Sequence, residues 1–197
     1  MFALPFFRRD QPALRGQNVF LRAPAAEDYE EWAALRRQSR GFLEPWEPRW
    51  ARDELDRSAW RLRLRRYREE LDRGSGYAFL IFETAQGRLV GGISLGNIRR
   101  GVAQSAQIGY WMGEPYAGKG LMLEALRLVV RFAFQTLRLH RVEAACIPRN
   151  TRSVRLLEKA GFRREGLLRS YLRINDTWQD HCLYALIAGE EAGQDRG

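Results

Sequence analysis

The chain has 197 residues, 45% of them hydrophobic, and a formal net charge of +9. That length supports one well-buried core and is short for two, and no apolar run approaches the roughly 20 residues that a membrane span needs. Met1 to Phe7 is too short and too proline-broken for a signal peptide, so the expectation is a soluble, cytoplasmic single domain. The positive charge suits an acidic partner such as RNA, a ribosome or a phosphorylated cofactor. All but two of the 33 basic residues are arginine, however, which matches coding bias, and no basic run is interleaved with aromatics. Cys146 and Cys182 lie in strand-like runs without metal-ligand spacing and read as buried free thiols with no nearby partner. No metal site is expected.

Taken in order, residues 1–16 carry no hydrophobic period and read as a lead-in. Asn18 to Ala23 is a first strand closed by Pro24. Ala26 to Ser39 places Trp32 and Leu35 on one face with Asp28, Glu30 and Glu31 early, which predicts a helix. Gly41 to Trp50, G-F-L-E-P-W-E-P-R-W, cannot continue it because Pro45 and Pro48 each remove a donor, and it reads as a rigid aromatic loop. Asp53 to Arg73 is an arginine-laced helix with an apolar stripe of Leu55, Trp60, Leu64, Tyr67 and Leu71, its charges a solvated face. Tyr77 to Glu83 and Leu89 to Ile98 form a hairpin across Gln86-Gly87, and Gln104 to Met112 is the next strand. A helix from Gly120 to about Thr136 follows, then a strand from His140 to Ile147 ended by Pro148. Asn150 or Thr151 caps a helix through Lys159 that Gly161 terminates, and Asn175-Asp176 joins the last two strands, Phe162 to Leu172 and Thr177 to Leu186. The fold class is α/β, a mixed and mostly antiparallel sheet flanked by helices.

The stretch with most chemical content is Gln107 to Met122, Q-I-G-Y-W-M-G-E-P-Y-A-G-K-G-L-M. A strand that stops at a glycine-rich turn and opens a helix leaves backbone N–H groups unpaired at the positive end of the helix dipole, an anion cradle suited to phosphate. A P-loop would need Ser or Thr where Gly120 stands, to hold magnesium. A dinucleotide fingerprint would need glycine where Leu123 stands and an acidic residue about 20 positions on. Neither reading survives.

A-G-K-G-L-M after the strand I-G-Y-W-M resembles the acyl-coenzyme A pyrophosphate loop of the GCN5-related N-acetyltransferases (GNAT). That family's pattern is Arg or Gln, two residues, Gly, one residue, then Gly or Ala; the positions here are Ala117, Gly120 and Met122. N-T-R-S-V-R-L-L-E-K-A-G-F from Asn150 resembles the family's second signature. F-L-E-P-W-E-P (42–48), G-K-G-L-M-L-E-A-L (118–126) and E-G-L-L-R-S-Y-L-R-I-N-D-T-W-Q-D-H (165–181) resemble the bacterial ribosomal-protein alanine N-acetyltransferases. The resemblance implies an N-acetyltransferase domain over residues 17–188, with 1–16 and 189–197 as flanking segments. Its fourth and fifth strands would be splayed around acetyl-CoA. Ile108, Gly109, Tyr110, Trp111 and Met112 would pair with the pantetheine arm; Gly118, Lys119, Gly120, Leu121 and Met122 would hold the pyrophosphate; Asn150 and Ser153 would line the thiol end.

Many relatives place a tyrosine acid seven residues after the asparagine; this chain has Leu157 there. Ser153, or a water, would then protonate the leaving thiolate, with Asn150 beside it and Glu47 as base or amine anchor. The implied acceptor is the N-terminus of a ribosomal protein, bound between Trp46, Glu47 and Trp50 on one wall and the hairpin residues Tyr171 and Asp180 on the other. Acetylation of a small amine, or a non-catalytic ribosome-assembly or RNA-binding role with weak ribosome or RNA association, are the alternatives.

Overall fold

The computed structural model describes residues 11–190. The strands are β1 (Leu14–Arg15), β2 (Val19–Arg22), β3 (Tyr77–Glu83), β4 (Leu89–Arg99), β5 (Ser105–Met112), β6 (Arg141–Cys146), β7 (Arg163–Ile174) and β8 (Thr177–Ile187). They form one eight-stranded sheet in the order β1-β2-β3-β4-β5-β6-β8-β7. Every neighbouring pair is antiparallel except β5 and β6, which run parallel. A parallel pair needs a crossover, and the helix that follows β5 supplies it. The helices are α1 (Tyr29–Gln38), α2 (Arg40–Leu43), α3 (Arg57–Arg73), α4 (Leu121–Arg131) and α5 (Thr151–Lys159).

The apolar run Y-A-F-L-I-F of β3 is buried on both faces, as a central strand's continuous hydrophobicity requires. Because side chains alternate, Tyr77, Phe79 and Ile81 join the larger core with Ala125, Leu126 and Val129 of α4 and Leu157 of α5. Leu80 and Phe82 point the other way, into a second core with Trp32 and Leu35 of α1 and Trp60 of α3. Leu126, wholly buried, contributes roughly 1.5–3 kcal/mol by leaving water. Helices thus cover both faces of the sheet.

Several boundaries move. Leu14 and Arg15, read as lead-in, pair with Leu21 and Phe20 as a short edge strand; residues 1–10, including the stretch weighed as a signal peptide, lie outside the described residues. The second long helix begins at Arg57, not Asp53, because Asp56 sits at the N-cap with extended backbone. The stretch 41–50 is partly helical: α2 and a 3-10 turn, Glu44–Trp46, which takes Pro45 in its first turn where no N–H is needed. The helix from Leu121 ends in a π turn, Phe132–Thr136. Cys146 and Cys182, read as having no neighbour, are cross-strand partners in β6 and β8 and both are free thiols. The hairpin at Asn175-Asp176 holds, with both residues left-handed (φ 44° and 62°), the turn geometry that suits strand twist. Three arginines of α3 pair with acids one turn away, Arg66 with Glu70, Arg68 with Asp72 and Arg73 with Glu69, as a solvated face would have it, whereas Arg63 is partly buried over Trp32 and pairs with Glu54 outside the helix.

Candidate active site

The fork between β5 and β6 positions everything else. Their pairing runs Ser105↔Arg141, Ala106↔Val142 and Gln107↔Glu143 and then stops. Beyond it β5 stays bonded to β4 as far as Met112, and β6 to β8 as far as Cys146. The facing edges of 108–112 and 144–146 therefore diverge, leaving backbone groups on β5 without a strand partner. Arg141 clamps the closed end, donating to Glu143 at 2.8 Å and to Glu165 at 2.9 Å. That pairing raises the Arg141 pKa and holds the Glu165 carboxyl below its usual range.

At the far end of β5 the chain turns through Gly118 (φ 78°) and Gly120 (φ 81°) into α4. Both are left-handed, and a Cβ on either would meet nothing within 4 Å, so the turn is open above the backbone. The first helical bond is from the Glu124 N–H to the Gly120 carbonyl at 3.2 Å, which leaves the N–H groups of Leu121, Met122 and Leu123 outside the ladder. The Glu124 carboxylate is turned back to accept from the Asn18 backbone and side chain, both at 3.0 Å. Lys119 lies over the Tyr116 ring at 5.6 Å, and Arg88 over the same ring at 5.7 Å. Two cations, of which Arg88 is ion-paired with Glu83, together with a helix N-terminus and an open glycine turn fit a polyphosphate. Arg88, in a β3–β4 loop, was not anticipated.

On the helix side of the fork, Asn150 caps α5: its Oδ1 accepts the Ser153 N–H at 3.2 Å. The Ser153 hydroxyl lies 2.7 Å from that of Tyr110, which reaches it from β5. Burial raises the Tyr110 phenol well above the usual range. Burial also pushes the neighbouring Cys146 thiol up to about 11. Leu157, one turn along α5, is fully buried.

The opposite side of the sheet holds a cavity of about 430 Å³ whose lining includes Arg36, Glu47, Trp50, Ser94, Gly109 and Trp111. Arg36 donates to both oxygens of Glu47, at 2.8 and 2.7 Å, and Trp50 Nε1 donates to Glu47 Oε2 at 2.8 Å. The Arg36 guanidinium is sandwiched by the rings of Trp50 (4.4 Å) and Trp111 (5.0 Å). Trp111 lies over Gly92, where a Cβ would stand 2.4 Å from its Nε1. Tyr171 comes to the mouth of the fork, its hydroxyl accepting from Gln107 Nε2 at 3.4 Å. Trp46, half-buried, faces Arg149 at 5.7 Å, and Asp180 accepts the Ser170 N–H at 2.8 Å.

Glu47 and Trp50 thus share one cavity with β5, whereas Trp46, Tyr171 and Asp180 do not line it. The loop and the hairpin also touch each other. Asn175 Nδ2 donates to the Glu44 carbonyl at 2.8 Å and Arg49 meets Asp176 at 2.9 Å, so the two are bridged at their tips beside a polar cleft of about 510 Å³. Arg36 is the site residue the sequence reading missed. Its signal was present: it shares the buried face of α1 with Trp32 and Leu35, an unusual place for an arginine. Among the described residues no cluster of three His, Cys, Asp or Glu side chains could hold a metal. Nor is any helix among them long and apolar enough to cross a membrane.

A family model described as an acetyltransferase (GNAT) domain matches residues 18–163. The chain belongs to the GNAT acetyltransferase family. It is 41% identical over 174 residues to YjcK of Bacillus subtilis, named as a probable N-acetyltransferase, covering 88% of this chain and 96% of that one. It is 35% identical over 184 residues to the [ribosomal protein uS5]-alanine N-acetyltransferase of Escherichia coli, covering 91% and 94%. Among solved structures, RimJ of Mycobacterium smegmatis in complex with CoA-disulfide superposes with a TM-score of 0.86 at 34% identity, over 96% of this chain and 92% of that one. This GNAT chain is therefore an N-acetyltransferase.

Proposed function

We propose that this GNAT enzyme transfers an acetyl group from acetyl-CoA to the N-terminal α-amine of a ribosomal protein, with alanine as the first residue. The observation that carries the proposal is the fork: unpaired β5 backbone between a phosphate-suited cradle at one end and Ser153 and Asn150 at the other, backed by a cavity holding Glu47. Acetyl-CoA supplies the activated acyl group. The β5 edge at Ile108 to Met112 would bind its amide-bearing arm, and Gly118 to Met122 with Lys119 and Arg88 its pyrophosphate. The uS5-alanine enzyme of E. coli, aligned over nearly the whole chain, supports the acceptor class.

An α-amine with a pKa near 8 is about one-tenth neutral at pH 7, so holding it in line matters more than a strong base. Glu47 suits that task. With its oxygens already taking three donors, it is oriented to receive the amine rather than to cycle a proton. The test is acetyl-CoA turnover against peptides that differ only at the first residue, with free amines as controls. The alanine peptide is expected to exceed its best rival by about tenfold or more in kcat/KM, the scale on which a pocket separates side chains differing by one small group. Turnover of free amines alone would overturn the acceptor assignment.

A further inference from the structure

The β5 residue Tyr110 enters the family resemblance only through its backbone, yet its side chain does something the backbone role does not require. Its hydroxyl crosses from β5 to the first turn of α5 and meets Ser153 Oγ at 2.7 Å. It does so beyond the last β5–β6 rung, Gln107↔Glu143, so this hydrogen bond ties β5 to the helix that follows β6 where β5 and β6 no longer pair. The position one turn beyond Ser153 that could have offered a hydroxyl is Leu157, whose side chain is fully buried.

We infer that Tyr110 is a positioning residue for proton delivery to the departing thiolate, acting through Ser153. The inference rests on the acetyl-CoA reading above. A phenol is a far stronger donor than an aliphatic alcohol, so the favoured direction has Tyr110 O–H donating and Ser153 Oγ accepting. Ser153's own proton is then turned away from Tyr110, to the side where its hydroxyl also meets the Cys146 thiol at the end of β6. Burial keeps Tyr110 protonated over the working range, so the donation persists. In the transfer, the C–N bond forms as nitrogen gives up a proton, and the C–S bond breaks with its electron pair on sulfur. Sulfur takes the Ser153 proton, and Ser153 Oγ recovers the proton that nitrogen released, carried by solvent. Tyr110 keeps its proton throughout; a hydrogen bond accepted from it makes Ser153 a better donor and fixes its rotor.

The near-isosteric Tyr110→Phe tests this. Loss of one hydrogen bond felt mainly as sulfur leaves should lower kcat about tenfold with KM for acetyl-CoA within about twofold. Ser153→Ala should cost more, and the double variant should be no worse than Ser153→Ala alone, because Tyr110 acts through Ser153. A second readout does not depend on turnover. The thiol pKa of bound CoA, followed by the thiolate ultraviolet difference spectrum against pH, should rise in Tyr110→Phe, with the calorimetric affinity for acetyl-CoA unchanged. Multiplying losses in the double variant, or a bound-thiol titration identical to wild type, would reduce Tyr110 to a packing residue and overturn the inference. Failure of the wild-type protein to bind CoA would instead overturn the reading on which it rests.

Discussion

The two ends of the site are built from different materials. The proposed cofactor side is mostly backbone: an unpaired strand edge from Ile108 to Met112 and the N–H groups that open α4 after Gly120. The proposed acceptor side is made of side chains drawn from distant parts of the chain, with Arg36 of α1 gripping Glu47, Trp50 and Trp111 together, and Asn175 of the hairpin reaching Glu44. Backbone groups are supplied by any residue that adopts the right φ and ψ, so such a site tolerates sequence change and fails only when conformation fails. A side-chain site depends on identity at each position. Ala117 and Met122 can therefore depart from the family pattern without cost to the cradle, whereas a single change at Arg36 should propagate to three neighbours.

The sharpest break of this contrast is Gly120→Val. Gly120 has φ 81°, and a Cβ there would meet nothing within 4 Å, so local space is not what excludes valine. A β-branched residue there costs about 1–2 kcal/mol or more in backbone strain, and it places methyls where the pyrophosphate would lie. Affinity for acetyl-CoA should fall about a hundredfold or more by calorimetry. Lys119→Ala, which removes a charge and leaves the backbone intact, should cost only about threefold to tenfold. Equal losses in the two variants would refute the claim that the cradle is chiefly backbone.

On the acceptor side the corresponding break is Arg36→Met, which keeps an unbranched chain between the two tryptophan rings and removes the charge. Arg36 is buried and Glu47 is about one-fifth exposed in its side chain, so Glu47 loses its partner but not all of its solvent. Peptide KM should rise about tenfold while KM for acetyl-CoA stays within about twofold, and Tm should drop by several degrees. A matched rise in both KM values would mean that Arg36 supports the fold as a whole and not the acceptor cavity.

The same division explains what the sequence made legible. The hydrophobic run of β3, the Gly118-Lys119-Gly120 turn and the Asn150 cap are local patterns with local causes, and they led to the sheet, the cradle and the start of α5, whereas the fork is expected only from the family resemblance. The clamp of Arg36 on Glu47 joins residues 11 positions apart, the Tyr110–Ser153 bond 43, and the Asn175–Glu44 bridge 131. No periodicity encodes such partnerships. Glu47 read as a loop acid open to the acceptor because nothing within its own loop announces the arginine that holds it. Trp111 read only as part of the strand edge that would pair with the pantetheine arm, because its indole is placed by Gly92 of the adjacent strand, a contact only the β4–β5 register creates.

The smallest effect should come from the bridge between the tryptophan loop and the hairpin. Arg49 and Asp176 are both largely exposed, at 75% and 47% of side-chain surface, and an exposed ion pair is worth about 0–1 kcal/mol. The Asn175 bond to the Glu44 carbonyl would survive Arg49→Ala, so the loop and hairpin should stay joined. Tm should move by no more than about 2 °C and peptide KM by no more than about twofold, with even that difference fading at high salt as the pair is screened. A larger change in peptide KM that persisted at high salt would show that Arg49 touches the acceptor directly. The polar cleft beside Arg40, Arg49 and Arg52 would then belong to the acceptor path, and the side-chain half of the site would extend beyond the cavity held by Arg36.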